Sequence, residues 1–496
     1  MIIRKGTVIV YLLGIFIFSS CQKMLDVTPE HLVEDKNFFR NVNDARAATM
    51  GNYALLRAAL AHEKTYWTHG EIRGGDFAVE QRPDLMAVLQ NNLLASYPAM
   101  EEWSDWRRLY AVINHATLCI ERLPEVKAQD IRYSEKQLRV DIAQARAVRA
   151  FAYFYMVRIW GDVPLITTTN SENFELRSRT PKEAVLDFVI TESLEAAAQL
   201  PWLFAASQPE QPEDIYNGNG VNFWRSGLAT KGVAYDVVAH AYAWRGDYLK
   251  AYEYCSIIQN NMGLSQYKPT TTDLLTSVSS SGTFSGRDNN VIWALSFRFD
   301  NQEYSRAGCI EDWTLRLPLV PKSYAEIYVP KDTILSVFDE EKDQRAVSYF
   351  ANINDGQPIF SKINKIDNSV KGPVFPVYAS AIVLFRLEEL YLLTAEAAMQ
   401  IGLPDQAVEN LNKVRSSRGL PDFEIADGDV IEAVFKERRR ELMGEGWHWY
   451  DLIQFKKVPD YTKITADQVA AGAIYWPVAS GALQQNPQLI QNNYWK

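Results

Sequence analysis

The sequence predicts a mainly α fold, a tetratricopeptide-like helical scaffold with a large irregular, loop-rich face that carries short strands. Two observations carry that reading. Apolar residues recur at three- and four-residue steps through much of residues 43–260 and 385–453, the period of amphipathic helices. Between those blocks, residues 261–380 lose the period and hold short runs such as Val291–Leu295 among scattered Pro and Gly. With 496 residues, 47% of them hydrophobic and 12% aromatic, the chain has enough apolar surface for one large core or two fused ones, which excludes wholesale disorder.

The amino terminus stands apart from that fold. Arg4 and Lys5 form a short positive region, Val8 to Phe18 is apolar, and Ser19-Ser20 precede Cys21, which is the layout of a secretory signal. The apolar run is shorter than the roughly 20 residues that a helix needs to span a bilayer, and no later segment reaches that length without charges. A cysteine directly behind the small-residue patch resembles the bacterial lipobox, whose thiol is diacylated and becomes the new amino terminus. Residues 1–20 therefore read as a lipoprotein signal peptide, and residues 21–496 as a single domain. That domain divides into an N-terminal helical part over about 30–260, a loop-rich part over about 261–380, and a tetratricopeptide-like and tail part over about 381–496. At about 0.8 kcal/mol per buried methylene, two or three acyl chains on Cys21 hold firmly where one would not.

Of the 51 basic residues, Arg4 and Lys5 leave with the signal, so 61 acidic residues outnumber the remaining 49. An exported acidic chain is a poor partner for nucleic acid, whose phosphates need a basic face. Beyond Cys21 lie only Cys119, Cys255 and Cys309, which cannot all pair. Cys119 and Cys255 occupy apolar helical positions, where cysteine behaves as a small hydrophobe.

The helices follow in order. Asn43 to Leu60 is the first, with Asn43 or Asp44 as its cap. Trp103 to Leu123 is the second, on the recurrence of Trp106, Leu109, Tyr110, Ile113 and Ile120. Glu135 to Trp160 is the third, stopped by Gly161 with Pro164 beyond. A fourth starts with Thr180 as cap, Pro181 at the first helical position and Glu183 closing a capping box, and runs to Pro201.

A repeat signal follows. Ala239, Tyr242, Gly246, Ala251 and Ile258 share their offsets with Ala395, Ala398, Gly402, Ala407 and Val414. This is the spacing of a tetratricopeptide helix–turn–helix, in which small residues let two antiparallel helices approach and the glycine makes the turn. Residues 263–290, rich in Ser, Thr and Gly, read as an exposed loop.

Catalytic motifs do not stand out. The six histidines form no His-Glu-x-x-His pattern, and His62 with His69 would supply only two ligands, too few for a structural zinc site. There is no Gly-x-Ser-x-Gly elbow, P-loop or dinucleotide fingerprint. Adjacent carboxylates such as Glu388 and Glu389 point in different directions on a helix, whereas glycoside hydrolysis sets two carboxylates about 5–9 Å apart across a substrate. The chain reads as neither an enzyme nor a metal or cofactor protein. The basic run Lys436 to Glu441 reads as a helix laced by ion pairs to its own glutamates.

Aromatic side chains suggest a binding surface, since sugar rings stack on flat faces while Asp, Asn, Arg and Gln bond the hydroxyls. Tyr66, Trp67, Arg73 and Asp76 lie in a Gly-containing stretch between the first two helices, with Trp103 just after it. Tyr304, Trp313 and Arg316 lie in the irregular region. These eight residues are the candidate ligand site, with core packing as the competing reading for each ring.

Several stretches resemble the SusD/RagB family of nutrient-binding outer-membrane lipoproteins. Leu25-Asp26-Val27-Thr28-Pro29 is similar to the family's mature start, Trp106 to Ile120 to its second helix, and residues 143–166 (AQARAVRAFAYFYMVRIWGDVPLI) to its most recognisable signature. Phe385 to Leu420 resembles its tetratricopeptide-like element and Lys436 to Ile453 its arginine helix and Trp turn. Tyr475-Trp476-Pro477-Val478, Asn486-Pro487 and Gln491-Asn492 resemble its tail. Thr117, His448 and Gln454 depart from the family's Asn, Arg and Arg, and Gln22-Lys23 make the region after Cys21 less acidic than the family's surface-export signal.

The resemblance implies a SusD-like fold and a division of labour. The lipoprotein would capture an oligosaccharide or polysaccharide at the cell surface and deliver it, as a lid, to a SusC-like TonB-dependent transporter. The tetratricopeptide-like helices would face the barrel, and variable loops would hold the glycan. The alternative is a peptide-importing or purely protein-binding scaffold of the same transport complex.

Overall fold

The structure, a computed structural model, describes residues 38–169, 176–212, 220–297, 309–366 and 377–496. The signal peptide, Cys21, the mature start and Tyr304 lie outside the described residues. The longer helices among the described residues are α1 (Val42–Ala61), α2 (Arg107–Gln129), α3 (Glu135–Trp160), α4 (Lys182–Gln199), α5 (Lys231–Arg245), α6 (Tyr248–Asn260), α7 (Leu387–Gln400), α8 (Pro404–Ser417) and α9 (Val430–Leu442). None of the described helices is long and apolar enough to cross a membrane.

The helices pack largely in chain order: α1 on α2, α2 on α3, α3 on α4, α4 on α5, α5 on α6, α6 on α7, α7 on α8 and α9. Each can do so because it buries a wide apolar face. α3 is the extreme case, buried without a break from Ala147 to Trp160. A helix that is buried all round belongs at the centre of a core, and α3 lies under α1, α2, α4 and α5. Gly161 ends it at φ 71°, with its N–H donating to the Val157 carbonyl.

The repeat is present as spaced. Gly246 (φ 85°) turns α5 into α6 and Gly402 (φ 77°) turns α7 into α8, each in the left-handed conformation that glycine adopts without a Cβ penalty. Ala239, Ala251, Ile258, Ala395, Ala398, Ala407 and Val414 are fully buried. The two hairpins lie side by side through α6 and α7.

Helix starts depart from expectation. α1 is capped by Asn41, whose side chain accepts from the Asn43 and Asp44 N–H groups while Asp44 bonds back to the Asn41 N–H, a capping box that starts two or three residues before the expected cap at Asn43 or Asp44. The second helix is two pieces, Pro98–Ser104 and α2, broken at Asp105 in extended backbone. α4 has no side-chain cap, because Thr180 instead bridges to Val163 and accepts from the Leu165 N–H.

The loop-rich part is stitched by three short antiparallel ladders. β1 (Ala78–Val79) pairs with β3 (Ile327–Tyr328), β4 (Phe350–Ala351) with β5 (Ile359–Phe360), and β2 (Val291–Leu295) with β6 (Ile382–Arg386). The last pair is wholly buried and runs directly into α7. The Ser/Thr-rich stretch 263–290 is less exposed than its composition suggested. Thr270, Thr272 and Thr283 are buried, and the Thr270 N–H donates to Glu388 Oε1 at 2.9 Å.

The arginines of α9 do not pair along their own helix in the main. Glu441 is fully buried and accepts from Arg386 (2.8 Å) and Arg418 (2.7 Å) on one oxygen, and from Arg345 (2.9 Å) and Arg418 (2.9 Å) on the other. Arg438 reaches Glu389 and Asp451, and Arg440 reaches Asp339. Burial alone would raise the Glu441 carboxyl, but Arg418, Arg386 and Arg345 hold it well below the usual carboxylate range. A buried cluster of this kind is weak evidence for net stability, yet breaking it by removing one member is costly.

Candidate functional site

The stretch after α1 turns sharply because Glu63 (φ 46°) and Lys64 (φ 52°) are both left-handed. The short helix Thr65–Gly70 then points its aromatic side inward. Tyr66 and Trp67 meet edge to face at 5.5 Å, the Trp67 indole N–H donates to the Gly444 carbonyl at 3.0 Å, and the Tyr66 hydroxyl donates to the Val383 carbonyl. Arg73 lies over the Trp449 ring at 3.9 Å and donates to the carbonyls of Ala473 and Ile474. Asp76 accepts from Arg439 and faces His448 at 3.4 Å; burial opposes its charge, but these two neighbours hold it below the ordinary range. Trp103 is fully buried, its indole N–H on the Glu63 carbonyl at 3.0 Å.

Five of the candidate site residues (Tyr66, Trp67, Arg73, Asp76 and Trp103) are thus core residues at 0–4% exposure, with no face left for a sugar. The physical reason is the Gly444–Trp447 turn, which packs onto this stretch from the far end of the sequence. The Glu71 carboxylate accepts from the Gly444 and Gly446 N–H groups, each at 2.9 Å. His62 and His69 also part company, the first pairing with Glu102 and the second buried on the Trp103 carbonyl.

Trp313 is likewise 1% exposed. It does meet the first stretch: the Lys64 ammonium lies 4.9 Å and the Arg82 guanidinium 5.5 Å from its ring centre. Around it run half-buried ion pairs, Lys64–Asp312 at 3.0 Å, Arg82–Asp84 at 2.7 Å and Arg82–Glu326 at 2.6 Å. Arg316 is held by Asp355 (2.8 Å) and the Gln357 carbonyl. The indole serves as a seat for cations, not as an open platform. The two predicted stretches therefore converge, joined by the β1–β3 ladder, but what they present outward is charge.

A concave surface lies elsewhere on the loop-rich face. A groove of about 490 Å³ is lined by Asn222, Phe223, Arg225, Ser280, Arg287 and Asn289. The short helix Val221–Trp224 carries Phe223, which is edge-on to Trp224 at 4.5 Å. Arg225 is buried, donates through Nη2 to Gln266 Oε1 at 3.0 Å, and has no partner for Nη1 among the described residues. Through Asn289 the groove continues into a second hollow lined by Met262, Gln266, Tyr267 and Lys268. A ring, amides, hydroxyls and guanidiniums converge here in a volume typical of small-ligand clefts. Sequence reasoning missed these residues; the only signal was the Ser/Thr/Gly composition of 263–290.

Residues 354–495 match the SusD family, and residues 69–208 match the family described as starch-binding associating with outer membrane. A crystal structure of a SusD superfamily protein from Bacteroides thetaiotaomicron superposes with a TM-score of 0.84 at 38% identity, over 92% of this chain and 99% of that one. The chain belongs to the SusD/RagB family. A curated SusD-like protein of Formosa agariphila is 26% identical over 97% of each chain. A laminarin-binding SusD-like protein, at 20% identity and a TM-score of 0.71 over 91% of this chain and 99% of that one, shares the SusD fold. The departures at Thr117, His448 and Gln454 are all accommodated: Thr117 Oγ1 accepts from Arg149, His448 faces Asp76, and Gln454 donates to Glu396.

Proposed function

We propose that this SusD/RagB protein binds a glycan at the cell surface, without catalysing a reaction on it, and passes it to a SusC-like TonB-dependent transporter. The observation that carries the reading is the groove at Phe223, where a flat ring, two asparagines and two arginines line one concavity of the loop-rich face. Rings stack on sugar faces, and the fork of Arg with the amides of Asn suits vicinal hydroxyls. The relatives agree in kind, one being named for laminarin binding and one matched family for starch binding.

The acylated Cys21 would hold the protein on the outer membrane, facing outward, and the α5–α8 hairpins would face the transporter. The Trp313 junction, with Lys64, Arg82 and Arg316, is the second place where glycan hydroxyls would be met. Calorimetric titration of a soluble form beginning at Asp26, against plant, host and microbial glycans, tests the proposal. Saturable binding to one class supports it. Silence across the panel, with transporter co-purification intact, replaces it with the peptide-importing or protein-binding reading.

A further inference from the structure

Asp236 and His240 stand one helical turn apart on α5 and face Glu389 in the first turn of α7. One ligand atom from each lies within 4.8 Å of the others. His240 Nε2 is 3.0 Å from Glu389 Oε2 and 3.7 Å from Asp236 Oδ1. Three donors around one tetrahedral ion at about 2.0–2.1 Å stand roughly 3.3 Å apart, a spacing that lies between the two separations measured from His240.

A further feature points to a ligand here. Asp236 is fully buried, yet neither of its carboxylate oxygens has a hydrogen-bond partner among the described residues. An orphaned buried carboxylate is costly unless something fills the place of the missing partner. A divalent cation held by both carboxylates and the imidazole would fill that place.

We propose that Asp236, His240 and Glu389 bind a divalent first-row metal ion of the zinc class, which clasps the two tetratricopeptide-like hairpins together. One imidazole with two carboxylates suits zinc and its neighbours, whereas calcium takes six to eight oxygens. If Asp236 binds through both oxygens, four donors close the coordination without solvent, which the burial of the site requires. The surroundings are those of a supported site. Glu389 gives its other oxygen to Arg438 at 2.8 Å, and the His240 ring is stacked on Phe385 at 5.2 Å and 18°. The ligands are 149 residues apart across His240 and Glu389, which is why no short motif announces them.

The test is the metal content of the mature full chain, purified without chelator from zinc-supplemented cells, and its visible spectrum after refolding in cobalt. Wild type is expected to hold about one ion per chain and to show the intense bands of four-coordinate cobalt, with Asp236→Asn retaining at least about tenfold less. A wild type that takes up neither zinc nor cobalt overturns the proposal and leaves Asp236 holding only a proton. Equal retention by Asp236→Asn also overturns it. Should Asp236→Asn fail to fold, the wild-type cobalt spectrum and its loss in His240→Gln decide the matter.

Discussion

Gly70 and Gly446 meet backbone to backbone, so that a Cβ added to Gly70 would fall inside the van der Waals envelope of the Gly446 carbonyl oxygen. Gly446 itself sits at φ 78° with the Tyr66 ring against it. Gly70→Ala is expected to lower stability by about 1–3 kcal/mol, the usual cost of overpacking a tight core. Urea unfolding measures it, and an unchanged midpoint would show that the two segments separate freely.

Glu441 gathers Arg345, Arg386 and Arg418 from three separate parts of the chain. Glu441→Gln keeps the shape and removes the charge, so three buried guanidiniums lose their common partner. The expected cost is about 3–5 kcal/mol. A loss under about 1 kcal/mol would mean that Glu437 and Glu445 take over the pairing.

His69 gives a pH signature. Burial, against its bond to the Trp103 carbonyl, pushes the imidazole down to about 3. A group held neutral in the fold contributes stability that is present above its unfolded pKa, near 6.5, and is lost as pH falls toward the folded value. Between pH 7 and pH 4.5, wild type should lose roughly 2–3 kcal/mol more than His69→Gln, which cannot titrate. Equal slopes of stability against pH in the two proteins would remove His69 as the cause.

For the glycan groove, Phe223→Ala and Arg225→Gln should each weaken binding by about 1–3 kcal/mol, on the scale of ring stacking by alanine substitution. Circular dichroism checks that the fold is kept. If Arg82→Gln and Arg316→Gln weaken binding instead, the Trp313 junction is the contact surface.

Cys21→Ser removes the thiol that would be acylated. The protein should then leave the membrane fraction and lose palmitate labelling, since without acyl chains little else would hold an acidic chain on lipid. Continued membrane recovery with no label would point to attachment through the transporter alone.

The helical scaffold was legible because its period is local: α3, the Gly161 stop and the paired turns at Gly246 and Gly402 each follow from residues within a few positions of one another. Capping was less so, because Thr180 had a bridge to Val163 to make and left α4 uncapped. The candidate site was read poorly for a different reason. Trp67, Arg73 and Trp313 lie in Gly-containing or irregular stretches that look exposed, and what covers them comes from hundreds of residues away. Composition cannot reveal that Gly444 will sit on Trp67. The groove at Phe223 was hidden in the opposite sense, since its polar residues look like ordinary loop.

The Glu71 hydrogen bond to Gly444 spans 373 residues. A chain made amino terminus first therefore carries this part of its core unfinished through most of its synthesis. Trp67 and Glu71 stay unclosed until Gly444 has been made. Closure of this part of the core therefore depends on nearly the whole chain being present, and a fragment ending before Gly444 would leave the Glu71 carboxylate and the Trp67 indole without their partners.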